Sequence, residues 1–179
     1  MTWSIGEKIS LPRHGPCLID GLVNKDIGGA SMRFYRLAPL EDSSGELFIP
    51  INKIKELGIR QLLQRSEIPK LLSRLSRQRK PATLPTAARN WKQREMDRSK
   101  LLASGSAFDL AELVESLTEL NAARTLATHD RQTLERAKKL LVCEIAEVTG
   151  DAKSVVAERI DNALRLRTPE KLSGRAASN

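Results

Sequence analysis

The sequence predicts an α+β chain of two domains, a small antiparallel β-barrel at the N-terminus followed by a C-terminal α-helical bundle. Short strand-like runs separated by turn residues occupy the first 60 residues. From Ser66 onward the apolar residues recur at helical spacing instead. Between the two halves, Pro81-Ala82-Thr83-Leu84-Pro85 breaks the chain inside a basic stretch.

The candidate strands are Glu7–Leu11, Pro16–Asn24, Ser31–Leu37 and Glu46–Ile51, rich in Ile, Val, Leu, Phe and Tyr. Turn signals separate them at Arg13-His14-Gly15-Pro16, Asp26-Ile27-Gly28-Gly29 and Glu41-Asp42-Ser43-Ser44-Gly45. A fifth short strand is expected near Gly58-Ile59-Arg60. Strands this short bury a face only if the sheet curls on itself, hence the expected barrel.

Ser66 and Glu67 open a short helix carrying Ile68, Leu71, Leu72 and Leu75, with Pro69 in its first turn, where no N–H is needed. Thr86 is the expected cap of the next helix, which runs to Ser104 and stops at Gly105. Ser106 caps a third, with Leu110, Leu113, Val114, Leu117 and Leu120 on one face. Thr128 is the expected cap of a fourth, whose stripe is Leu134, Ala137, Leu141, Ile145 and Val148 before Gly150. Asp151 is the expected cap of the last, which carries Val155, Val156, Ile160, Ala163 and Leu164. The expected division is a barrel over 1–65, a short helix and basic linker over 66–85, a helical domain over 86–167 and a polar tail over 168–179.

The chain has 179 residues, of which 40% are hydrophobic, enough for packed cores; with 3% aromatics those cores must be mainly aliphatic. No apolar run approaches the ~20 residues of a membrane helix, and the N-terminal residues lack a signal-peptide core. Cys17 and Cys143 stand too far apart for a metal or redox motif, so reduced thiols and a cytoplasmic setting are expected. His14 and His129 have no ligand-type neighbours at metal spacing, and no phosphate-binding glycine loop or nucleophile elbow occurs. Glu112, Glu115 and Glu119 read as a solvated helix face. With no catalytic constellation, metal site or cofactor motif, the chain reads as a non-enzyme.

The net charge of +8 is sharply localised. Residues 74–100 carry Arg74, Arg77, Arg79, Lys80, Arg89, Lys92, Arg94, Arg98 and Lys100 against Glu95 and Asp97, a net +7. A localised positive field attracts polyanions, nucleic acid foremost; a solvated linker and helix surface is the plainer reading. Trp91 lies inside this stretch, and at 100° per residue Arg94, Arg98 and Leu102 fall within about 60° of its direction. Two readings of Trp91 follow. It plugs a core edge with arginines snorkelling around it, or it is an exposed ring that wedges against unstacked bases while the arginines hold phosphates. Arg131, Arg136, Lys138 and Lys139 on the fourth helix either extend that surface or form a solvated face.

Three blocks of residues carry a family resemblance. The first is Ile5-Gly6-Glu7-Lys8 with Leu11-Pro12-Arg13-His14-Gly15. The second is Phe48-Ile49-Pro50-Ile51-Asn52-Lys53-Ile54 followed by Gly58-Ile59-Arg60. The third is Asn90-Trp91-Lys92-Gln93-Arg94, Leu102-Ala103-Ser104-Gly105 and Ala111-Glu112-Leu113-Val114-Glu115-Ser116-Leu117, and Ala137-Lys138-Lys139-Leu140-Leu141 fits as well. In this order they resemble the CarD/CdnL family of bacterial RNA polymerase-binding transcription regulators. The chain departs from the family's pattern in having Leu11 before Pro12, Phe48 two residues before Pro50, and Gln93 and Glu95 around Arg94.

The resemblance implies a Tudor-like N-terminal domain that binds the RNA polymerase β subunit, with Lys25, Phe48 and Pro50 on the polymerase-facing side. It also implies a helical domain that contacts promoter DNA at the upstream edge of the transcription bubble. There Trp91 would wedge into the minor groove and slow collapse of the open complex, with Arg89, Lys92, Arg94, Arg98, Arg136 and Lys138 as the accompanying cationic contacts. The expected protein is a monomer, cytoplasmic and associated with the nucleoid through polymerase. The alternative is a polymerase-binding adaptor whose helical half recruits another protein and never touches DNA; a third reading is a generic RNA-binding module.

Overall fold

Gly28 and Gly29 take φ of 61° and 81°, the left-handed conformation that a two-residue reversal requires, so Ile27 lands opposite Ala30. The hairpin they close, β2 (Gly15–Ile27) and β3 (Ala30–Pro39), is the frame of the N-terminal half. β1 (Lys8–Leu11), β4 (Leu47–Pro50) and β5 (Arg60–Gln61) complete an antiparallel sheet in the order β4-β3-β2-β1-β5. The computed structural model describes residues 3–41, 45–54, 56–77 and 91–167, the side chains of Trp91 and Arg167 excepted. The Pro81–Pro85 break, the expected Thr86 cap, Arg79, Lys80, Arg89 and the 168–179 tail lie outside these residues.

The sheet is open, which corrects the expected barrel. Its edge strands β4 and β5, four and two residues long, do not pair with each other and are too short to supply a closing ladder. The apolar face is covered by other means. Trp3 and Ile54 lie over Ile9, Leu11, Cys17, Ile19, Tyr35, Leu37 and Ile49. Tyr35 secures the start of the chain: its hydroxyl donates to the Trp3 carbonyl at 3.0 Å and accepts from the Trp3 N–H at 3.3 Å. A register shift between Ile19 and Gly21 bulges Asp20 out of β2, and Arg36 of β3 meets its carboxylate at 2.8 Å.

The helices are α1 (Ile68–Ser76), α2 (Trp91–Ser104), α3 (Ala107–Ala123), α4 (Thr128–Thr149) and α5 (Lys153–Arg167). Ser106 caps α3 as expected, its hydroxyl accepting from the Asp109 N–H at 3.4 Å, and Gly150 closes α4 at φ 77°. Three expected caps are displaced. Thr128 is the first residue of α4, and the cap position falls on Ala127. Asp151 precedes α5, but its carboxylate takes the Arg159 guanidinium at 2.7 Å. Ser66 sits within a short 3-10 turn, Arg65–Glu67, where the Gln64 N–H donates to Glu67 Oε2 at 2.9 Å. Leu63, Ile68, Leu71 and Leu75 pack with the leucines of α3 and α4 and with Val156, Ile160 and Leu164 of α5. Among the described residues, no helix is long and apolar enough to cross a membrane.

The two halves meet across α4. Glu144, 1% exposed, receives Arg60 Nη1 and Nη2 at 2.6 and 2.8 Å and the Leu63 N–H at 2.8 Å. Arg60 Nε donates to the Gly105 carbonyl at 2.7 Å, so one guanidinium ties β5 to both α4 and the α2–α3 turn. Gly105 has φ 70°, and a Cβ there would stand 2.8 Å from Pro12 Cγ. Arg136 donates to the Arg13 carbonyl at 2.6 Å, and Lys8 pairs with Glu147. The joint is therefore built from residues of all three blocks that carry the family resemblance.

Candidate functional site

Residues paired across an antiparallel sheet share a face, and the register aligns the outer face of the N-terminal half. Val23 of β2, Phe34 of β3 and Pro50 of β4 form one row; Gly21, Arg36 and Phe48 form the next, and Lys25 pairs with Met32. Lys25, Phe48 and Pro50 thus share one face, away from the Tyr35 and Ile49 side chains that point into the core. Lys25 Nζ stands 3.1 Å from the centroid of the Phe48 ring, a cation–π contact worth about 0.5–1 kcal/mol at an exposed site. Phe34, 5% exposed, belongs to this face and not to the sheet core. The sequence reading missed Phe34 and Arg36; the alternation of Phe34 with buried Tyr35 is the signal that places them.

The basic stretch is less free than its charge suggests. Arg74 Nη2 meets Glu112 at 2.8 Å and its Nε meets Glu115 at 3.4 Å. Glu115 is 3% exposed, which corrects the expected solvation at that one position, where an arginine from α1 reaches over it; Glu119 is exposed as expected. Arg98 pairs with Asp130, both side chains mostly covered at 18% and 13% exposure. Arg77, Lys92, Arg94 and Lys100 are exposed. Trp91 is the first residue of α2, which places the exposed Lys92 and Arg94 in the same turns of helix.

Arg136, Lys138 and Lys139 of α4 are also engaged. Arg136 bonds the Arg13 carbonyl, and Lys138 meets Asp161 of α5 at 2.6 Å. With Arg131, Lys139 and Lys153 they line a cleft of about 780 Å³ between α4 and α5, floored by Val142, Cys143 and Ala157. Burial pushes the Cys143 thiol up, the nearby Glu41 carboxylate adding to the rise while Lys153 and Lys139 oppose it.

One juxtaposition was invisible to sequence spacing because its members come from two helices. Ligand-type atoms of Glu95, His129 and Asp130 lie within 4.8 Å of one another. This is a donor set a divalent cation could use, yet Arg98 already occupies Asp130, and His129 Nε2 stands 3.4 Å from Glu95. Arg94 and Arg124 line the same depression, so the local charge favours ion pairing over cation binding.

Comparison with known proteins bears directly on this architecture. The CarD C-terminal domain matches residues 70–161, slightly more than half of the chain. The chain belongs to the CarD family. The CarD-like/TRCF RID domain matches residues 3–63, which span the sheet through β5 and the Arg60 clamp. The chain is also similar to YdeB of Bacillus subtilis (strain 168), a proposed transcription factor. The two are 22% identical over 148 residues, covering 83% of this chain and 93% of YdeB. CarD is a family of transcription regulators rather than of enzymes.

Proposed function

We propose that this CarD-family protein binds the RNA polymerase β subunit through the outer face of its Tudor-like sheet. The helical half then holds promoter DNA at the upstream edge of the bubble, which stabilises the open complex. What carries the reading is the convergence of Lys25, Phe48 and Pro50 on one sheet face within the region matched by the RID domain. The mechanism is bivalent: a protein contact raises the local concentration of a weak, sequence-tolerant DNA contact. Lys92 and Arg94, exposed on α2, and Arg89 upstream would meet phosphates, while Trp91 would favour DNA that is already unstacked. Arg98, Arg136 and Lys138 would contribute less, each having an internal partner. The protein would act as a monomer in the cytoplasm, on the nucleoid.

The test is retention of polymerase on immobilised full-length protein. A Lys25→Glu, Pro50→Ala variant is expected to lose the β subunit while Trp91→Ala retains it; equal retention by both would overturn the assignment of the sheet face. The internal partners of Arg98, Arg136 and Lys138 favour the second reading, an adaptor whose helical half recruits protein. That reading requires open-complex lifetimes indifferent to Trp91→Ala.

A further inference from the structure

We propose that Arg98 and Asp130 form a clasp that sets the direction of the N-terminal half of α2, so that Arg98 positions Trp91 rather than contacting phosphate. The functional consequence rests on the DNA-docking reading above; the clasp itself does not. Among the described side chains, the apolar anchors of α2 are confined to its last turn, where Leu101 and Leu102 pack against the helical core. Upstream of them, Lys92, Gln93, Arg94, Met96, Ser99 and Lys100 are exposed, and Met96 is 55% exposed. Burial of residues 92–100 therefore does not orient that half of the helix. Its described tethers are polar: Arg98 to Asp130, Glu95 to His129, and a 3.5 Å contact from Arg13 Nη2 to Ser99 Oγ.

Among these tethers the Arg98 pair is the most sheltered, at 18% and 13% side-chain exposure against 67% for His129. Shelter from water and salt makes such a pair stronger than an open surface bridge. Asp130 also lies in the first turn of α4, where the positive end of the helix dipole attracts an acidic side chain. Two helical turns, about 10 Å, separate Arg98 from Trp91, so a small rotation at the clasp displaces the first turn of α2.

The clasp and the phosphate-contact readings give Asp130→Ala effects of opposite sign. Removing an acidic group near DNA raises affinity if only charge matters. If Asp130 holds the helix, its removal weakens DNA engagement despite the gained positive charge. The experiment uses the full-length chain with polymerase and a promoter fragment, and measures amide exchange of residues 92–97 beside open-complex lifetime. Asp130→Ala is expected to speed exchange there roughly five-fold and to shorten the lifetime, with α3 and the middle of α4 unchanged. Arg98→Lys, which keeps a cation for Asp130, is expected to retain most of both. Unchanged exchange in Asp130→Ala, or a lifetime longer than wild type, overturns the clasp. Faster exchange in Asp130→Ala alongside lifetimes indifferent to Trp91→Ala would uphold the clasp and refute the DNA-docking reading.

Discussion

The joint around Glu144 and the N-terminal half of α2 are built on opposite principles. At the joint, a carboxylate 1% exposed accepts three hydrogen bonds, and a proline sits against a glycine that has no room for a methyl group. In α2, among the described side chains, exposed residues project from a helix whose apolar packing is in its last turn and whose other tethers are polar. The difference separates two tasks. The joint fixes how the helical half stands on the sheet; under the proposed function, a sheet docked on polymerase would carry the bundle to a defined place. The exposed helix keeps Lys92 and Arg94 accessible.

The largest expected effect is at the joint. Glu144→Ala removes the carboxylate that accepts from Arg60 Nη1, Arg60 Nη2 and the Leu63 N–H, and a loss of about 3 kcal/mol or more is expected in denaturant titration. Gly105→Ala introduces a side chain at φ 70° and a 2.8 Å clash with Pro12 Cγ. The expected loss is about 1–3 kcal/mol in the same titration, reduced but not abolished by adding Pro12→Ala. Lys92→Ala and Arg94→Ala are expected to change stability by less than about 0.5 kcal/mol. Each should nonetheless lower the salt dependence of DNA binding by about one unit of slope. If the α2 variants destabilise as much as the joint variants do, the contrast between the two regions is wrong.

The smallest effect belongs to Cys17, buried beneath the sheet. Burial raises its thiol from 9.0 to about 11, so it stays protonated and should alkylate slowly in native protein at pH 8. The unfolded thiol releases its proton first as pH rises. Its contribution to stability is therefore whole below pH 9 and declines towards pH 11. Rapid native alkylation would show that the sheet core opens more readily than its packing implies.

How much of this was legible in the sequence follows the range of each interaction. Local signals succeeded: the Gly28-Gly29 reversal, the Ser106 cap, the Gly150 stop and the alternating strands all depend on neighbours within a few residues. Of the displaced caps, Asp151 had a competing partner and turned to Arg159. The barrel failed because closure depends on how long the edge strands are, and turn signals do not determine that. Glu144 was overlooked although it sits three residues after Leu141 in the apolar stripe of α4. A carboxylate inside such a stripe is a signal that a distant cation will meet it, and here that cation is Arg60. Likewise the +7 of residues 74–100 is plain in the sequence, but Arg74 and Arg98 are paired by residues more than 30 positions away. Among the described residues of this stretch, the exposed cations are Arg77, Lys92, Arg94 and Lys100, and two of them, Lys92 and Arg94, follow Trp91 in α2.

The central claim is that this end of α2 holds open promoter DNA while the sheet holds polymerase. The lifetime of a promoter open complex, measured with wild-type protein and with Trp91→Ala at concentrations that saturate polymerase, tests it most directly. A wild-type lifetime several-fold longer than that of the variant, with polymerase binding equal, is the expected result. Equal lifetimes under those conditions would contradict the account.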